Sequence, residues 1–232
     1  MHTVLHRSVS IPPFSLAYTQ HGVDSAGMRM TNQGRTFPVS IPTIDELDRL
    51  MRACSRRAPS GLRDRALLAV LAFAGLRVGE AVQLRLGDLN LTDGYVQVRR
   101  GKGGRSRRVS LAPGACAIVQ QWLQVRSKLN LPATAPVFCT ITKNLQGHPL
   151  ATANIRQMVR RRARRAGIEG RVHPHALRHW CATSMARNRV PLHVVSLQLG
   201  HSSLAVTSHY LRNVEPHETQ AAVATLPMVG ID

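Results

Sequence analysis

Residues 66–86 read ALLAVLAFAGLRVGEAVQLRL, and this stretch decides the fold. Its first eleven residues, 66–76, are apolar or glycine and lie between Arg65 and Arg77, well short of the roughly 20 that a membrane-spanning helix needs. The run therefore reads as a buried helix of a globular core. It starts near Leu62 and stops at Gly75, whose freedom at positive φ suits a helix end. A further helix is predicted over 78–86, which puts Arg77 at a junction between helices. A charge that follows an apolar helix so closely needs a specific partner. Glu80, three residues on, can meet it on one helical face.

Upstream, Thr43 can cap a helix with Glu46 three residues later, and Asp45 and Glu46 suit the positive end of the helix dipole. Residues 1–42 mix Ser, Gly, Pro and Gln without periodicity and read as a flexible N-terminal extension, or as sequence upstream of an internal start at Met28 or Met30. Downstream, residues 95–98 alternate toward a strand and 107–111 can return antiparallel. Gly101-Lys102-Gly103-Gly104 makes a turn between them with Lys102 at its tip. Helices are predicted at about 113–130, 152–166, 174–187, 191–199 and 203–212, with Gly167 and Gly200 as stops. The class is mainly α with a small antiparallel β-sheet, an α+β fold. No internal repeat, heptad run or G-x-x-x-x-G-K-[ST] loop is present, so ATP-driven chemistry has no support.

The formal net charge of +19 on 232 residues favours a polyanionic partner. Residues 1–93 carry 11 basic and 8 acidic side chains, residues 94–214 carry 20 and 1, and residues 215–232 carry none and 3, so the middle segment accounts for the whole surplus. Only Glu169 interrupts that segment, and a nearly acid-free surface suits a long phosphate backbone better than a small acidic metabolite; a solvated basic face is the competing reading. Cys54, Cys116, Cys139 and Cys181 form no C-x-x-C pair, so buried reduced thiols are expected rather than a disulfide framework or a zinc site. Pro12 and Pro13 break the one apolar stretch near the start and no cleavage site follows, so a cytoplasmic protein, nucleoid-associated given its charge, is expected.

The motifs GLRVGE (75–80), GKGG (101–104), HALRH (175–179) and LGHSS (199–203), closed by Tyr210, stand in an order and spacing that resemble the tyrosine recombinase, or phage integrase, family over about residues 43–215. Each motif alone is short; the ordered set is specific. The resemblance implies the integrase catalytic-core fold and a DNA strand-breaking and rejoining enzyme in which Tyr210 is the nucleophile. Arg77 and Arg178 match the family's phosphate-binding arginines, Lys102 its hairpin general acid, and His175 and His201 the histidines flanking the scissile phosphate.

The residue types fit those roles. A phenol with a pKa near 10 needs help to ionise, and a planar guanidinium offers paired donors to non-bridging phosphate oxygens. Lys102 is one of three lysines against 28 arginines. Unlike arginine, a lysine with a lowered pKa can protonate a departing 5′-oxygen; an ordinary phosphate contact is the competing reading. His175 is the better candidate base. His173, His179 and His209 lie close by, and His179 reads as a buried hydrogen-bonding residue. Metal chemistry lacks a ligand set and no cofactor is expected. Glu80 is expected to orient an arginine. Arg99, Arg100, Arg105 and Arg107 around the hairpin, and Arg160, Arg161 and Arg164 in the run RRRARR (160–165), are expected to contact the DNA backbone.

By that resemblance the partners are double-stranded DNA and three further copies in a synaptic homotetramer, with a monomer or weak dimer when free. Integration, excision, inversion and resolution all remain open. Residues 216–232 form a C-terminal tail whose apolar segment, 221–229, could dock on a neighbouring subunit or fold back on its own core. The departure lies upstream. Many members carry a helical domain of about a hundred residues that closes around the far side of DNA. Here some forty precede Thr43, as in the short members such as fimbrial-switch invertases and plasmid multimer resolvases, so either a need for accessory DNA-bending proteins or a truncated remnant is expected. A type IB topoisomerase, a catalytically silent DNA-binding regulator and a basic ribosomal protein are the rival readings.

Overall fold

The computed structural model describes residues 41–99, 106–142, 144 and 146–201. Lys102, Arg100, Arg105 and Tyr210, the 101–104 turn, the helix expected at 203–212 and the tail lie outside the described residues, as does nearly all of the N-terminal extension.

Seven helices and a small sheet are described: α1 (Ile44–Arg52), α2 (Pro59–Phe73), α3 (Val78–Gln83), β1 (Leu89–Asn90), β2 (Tyr95–Val98), β3 (Arg107–Ser110), α4 (Pro113–Arg126), α5 (Thr152–Arg165), α6 (Pro174–Arg187) and α7 (Leu192–Leu199). The class is the one expected, mainly helical with a three-stranded antiparallel sheet in the order β1-β2-β3. Val96 stands opposite Leu89 on one side and Val109 on the other, so the buried valines form one apolar row.

Helix α2 is the axis of the core. Every residue from Ala66 to Ala72 is fully buried, because α1, α4 and α6 surround the helix. Pro59 starts it earlier than the apolar pattern suggests, since its fixed φ suits the first helical turn. Trp122 of α4 is buried against this core and donates its indole N–H to Val137 O at 2.9 Å, which satisfies the one polar atom of that ring. The four cysteines are buried free thiols. Among the described residues no helix is long and apolar enough to cross a membrane.

The capping box at Thr43 forms as expected, with reciprocal bonds of 2.8 and 3.1 Å to Glu46. From the same helix Arg49 donates to Ala166 O and Gly167 O, a cation on the negative end of α5. Two helices end sooner than expected. α3 stops at Gln83 because Leu84 turns extended and its carbonyl accepts the Val137 N–H at 2.7 Å. α4 stops at Arg126, whose buried guanidinium donates to Ala135 O and Pro136 O across a reversal through Asn130 at φ +48°.

Candidate active site

Four separate elements meet at the C-terminal end of α7. That helix closes on Gly200 in the left-handed region, φ +64°, with the Gly200 and His201 N–H groups both reaching Ser196 O. Gly75 adopts the same conformation after α2, φ +65°, where a β-carbon would lie 2.7 Å from Leu199 Cδ2. Both glycines therefore serve a close approach as well as a turn. Arg178, on the buried face of α6 and 3% exposed, spans the gap: its Nη1 donates to Gly75 O and its Nη2 to Leu199 O, both at 2.5 Å.

Arg77 is the N-cap residue of α3, and its Nη2 donates to Gly200 O at 3.0 Å while its Nη1 donates to Glu80 Oε1 at 3.0 Å. The shared face expected for Arg77 and Glu80 is present, and the Arg77 backbone N–H also donates to Glu80 Oε2 at 2.9 Å. Arg107 completes the group, with Nη1 and Nη2 donating to the two Glu80 oxygens at 2.8 and 2.9 Å. Burial would raise the Glu80 carboxyl, but the bonds from Arg107 and Arg77 outweigh it and the pKa lies below its ordinary value. Gln198 of α7 pins the same corner, accepting the Ser110 N–H and donating to Ser110 O and Ala74 O.

The histidines lie on this cationic ground. His175, in the first turn of α6, keeps a solvent-facing surface; desolvation by its surroundings and then the charges of His173, Arg178 and Arg77 lower its pKa to about 4. His201 follows the Gly200 turn and is also lowered to about 4, by burial first and then by Arg178, Arg77 and Arg107. Both are neutral imidazoles at pH 7, able to accept a proton or to donate one N–H. His173 caps α6 through Nδ1, which accepts the Ala176 N–H at 3.2 Å. His179, on the buried side of the same helix, meets His175 through their Nε2 atoms at 2.9 Å.

The structure thus brings together Arg77, Glu80, His175, Arg178 and His201. The outer arginines divide. Arg160, Arg161 and Arg164 are exposed on α5, whereas Arg162 in the same run turns inward to Asp64. Arg99 keeps an exposed side chain but donates its Nε to the buried Asp88 carboxylate. Arg107, expected to face DNA, has its guanidinium on Glu80 and is 14% exposed. The signal was available: residues 107, 109 and 111 share one face of an alternating strand, and Val109 and Leu111 are core. Gln198 carried no comparable signal. Among the described residues no group of His, Cys, Asp and Glu could hold a metal ion.

Known proteins share this architecture. The model of the phage integrase family matches residues 43–217. The chain is 33% identical over 179 residues to tyrosine recombinase XerD of Listeria innocua, covering 77% of this chain and 59% of that protein. It is 32% identical over 184 residues to tyrosine recombinase XerC of Alcanivorax borkumensis, covering 79% and 58%. It therefore spans less than two thirds of the length of these relatives. Among solved structures, XerA recombinase superposes with a TM-score of 0.65 at 29% identity, over 81% of this chain and 66% of that one. The XerH recombinase bound to a palindromic difH substrate in a post-cleavage complex superposes with a TM-score of 0.64 at 26% identity, over 83% and 54%. With its ordered motifs, its helical core and the arginines and histidines gathered at the end of α7, the chain belongs to the phage integrase family of tyrosine recombinases.

Proposed function

We propose that this chain is the catalytic part of a site-specific DNA recombinase that cuts and rejoins double-stranded DNA through a 3′-phosphotyrosine. The observation that carries the reading is the meeting of Arg77, Arg178, His175 and His201 at the end of α7, with His201 nine residues before Tyr210. Relatives described as tyrosine recombinases and as recombinases bound to DNA support it.

In this mechanism Arg77 and Arg178 hold the non-bridging oxygens of the scissile phosphate and stabilise the charge that builds up in the pentavalent transition state. The Tyr210 phenol oxygen attacks phosphorus and its proton passes to His175; the P–O5′ bond breaks as Lys102 protonates the leaving oxygen. His201 donates to a phosphate oxygen. The phosphotyrosine keeps the bond energy, and a 5′-hydroxyl of a partner strand attacks it to regenerate Tyr210, so neither ATP nor metal is consumed. Exchange between two duplexes uses four subunits, with the tail after residue 215 docking on a neighbour. Arg160, Arg161 and Arg164 hold the DNA backbone, accessory proteins assist the choice of site, and the reaction takes place on nucleoid DNA in the cytoplasm.

The test is incubation with nicked suicide DNA carrying candidate sites, followed by mapping of the covalent adduct. An adduct on Tyr210 that disappears in Tyr210→Phe is expected. An adduct on another residue, or recombination that survives Tyr210→Phe, overturns the mechanism. Relaxation of supercoiled plasmid without any specific site would move the reading to a topoisomerase.

A further inference from the structure

We propose that Arg107 is a positioning residue for Arg77: by sharing Glu80 it keeps the Arg77 charge available to the phosphate and fixes the Arg77 guanidinium against the 199–201 turn. The inference rests on reading this site as a phosphoryl-transfer centre.

The Glu80 side chain is 5% exposed and receives four donors, two from Arg107 and two from Arg77. A buried carboxylate facing a single arginine closes a two-point pair with it and cancels its charge. With Arg107 occupying both oxygens in that two-point geometry, Arg77 is left with one side-chain contact to Glu80. Its other nitrogen reaches Gly200 O. The three groups together retain one positive charge.

The Arg107 side chain also packs against that turn. A β-carbon at Gly200 would lie 2.5 Å from Arg107 Nε and 2.7 Å from its Cδ and Cζ, so Arg107 reaches Glu80 across a surface that only glycine leaves open. One guanidinium therefore sets β3, α3 and the end of α7 against one another. An ion pair this buried is a weak source of stability in its own right, and its geometry is better accounted for by what it does to Arg77.

Three variants of the full chain test this: Arg107→Gln, Arg107→Lys and the double variant Glu80→Gln/Arg107→Gln. The first readout is the Arg77 Nε–H resonance in arginine-labelled protein, assigned with Arg77→Lys. The second is single-turnover adduct formation on nicked DNA together with DNA affinity. Arg107→Gln should move the resonance and slow adduct formation on the order of 100-fold, with affinity changed by less than about threefold.

Removing the carboxylate as well should return the resonance toward its original position and recover at least about tenfold of the rate, because Arg77 is then no longer neutralised. Arg107→Lys should fall between, since one ammonium cannot span both oxygens. Three results overturn the proposal: a double variant no faster than Arg107→Gln, as for a simple strut; an affinity loss equal to the rate loss, as for a DNA contact; or an unmoved resonance. If Arg107→Gln does not fold, a folded Arg107→Lys with the original rate and resonance overturns it equally. Absence of any adduct from the unaltered chain counts against the recombinase mechanism, while the resonance still decides the positioning claim.

Discussion

His179 and His175, one helical turn apart on α6, meet through their Nε2 atoms at 2.9 Å, with the rings edge to face and their centroids 4.3 Å apart. With the His175 imidazole neutral, one Nε2 donates across this contact and the other accepts, so the protonation pattern of His175 is linked to that of His179. The contact engages His175 Nε2, so His179 helps to set the tautomer that His175 presents. His179→Leu should therefore slow adduct formation on the order of tenfold at unchanged DNA affinity. That is less than the ~10²–10⁴-fold that a general acid or base itself contributes and that His175→Leu should remove. An unchanged single-turnover rate in His179→Leu would assign the residue to packing alone.

Stability of the DNA-free chain should rise with pH across the window set by the same imidazoles. His175 and His201 have folded pKa values of about 4, below the ~6.5 of an unfolded histidine. Between those values the unfolded chain binds more protons than the folded one. Their contribution is therefore fully present above pH ~6.5 and lost as pH falls toward 4. Glu80, also lowered, adds a loss of the same sign at the acid end. Melting temperatures measured from pH 4 to 7 should climb, and the slope should flatten in His175→Gln/His201→Gln. A curve that falls with rising pH over this window would contradict the lowering of both imidazoles by desolvation and neighbouring cations.

Much of this was legible in the sequence because local patterns and backbone geometry act over short distances. The 66–76 run, the Thr43 box and the two left-handed glycines, Gly75 and Gly200, appear where the pattern put them. What escaped depended on distant partners. β1 is two residues long and exists only through its pairing with β2, and the end of α3 is set by a bond from Val137. Charge alone was also misleading about direction. Arg107 and Arg162 sit among exposed arginines, yet each turns inward to a buried carboxylate on another element, Glu80 of α3 and Asp64 of α2. A charge count cannot distinguish such a residue from its neighbours; strand alternation could have done so for Arg107.

Arg178 and Arg77 should behave differently when replaced. Arg178 is buried and satisfies two main-chain carbonyls, Gly75 O and Leu199 O, besides any phosphate contact. Arg178→Ala leaves both acceptors without that donor, at about 1–3 kcal/mol for each one that stays buried, so it should lower the melting temperature as well as abolish adduct formation. Arg77 is more exposed and holds a single carbonyl, Gly200 O. Arg77→Lys should leave the melt nearly unchanged and cost about 3–4 kcal/mol in the transition state. Equal melting losses for the two variants would mean that Arg178 has no structural share beyond that of Arg77.

The arginines of α5 should divide in the same way, by direction rather than by type. Asp64 of α2 is buried and accepts from Arg162 Nη2 at 2.8 Å and from Arg63 Nη2 at 2.8 Å, tying α5 to the core helix. Asp64→Asn strips both guanidiniums of their countercharge and should cost about 3–5 kcal/mol, the range for breaking a buried pair on one side. Arg162→Ala should act in the same direction but less strongly, because Arg63 still pairs with the carboxylate. Arg160→Ala, Arg161→Ala and Arg164→Ala touch exposed side chains and should leave stability within about 0.5 kcal/mol. Each should instead reduce the slope of log affinity against log salt by about 0.9 for every phosphate that the arginine neutralises. Denaturant melts and salt titrations of DNA binding measure the two quantities separately. If Arg162→Ala reduced the salt slope and left the melt intact, its inward pairing with Asp64 would not describe the protein in solution.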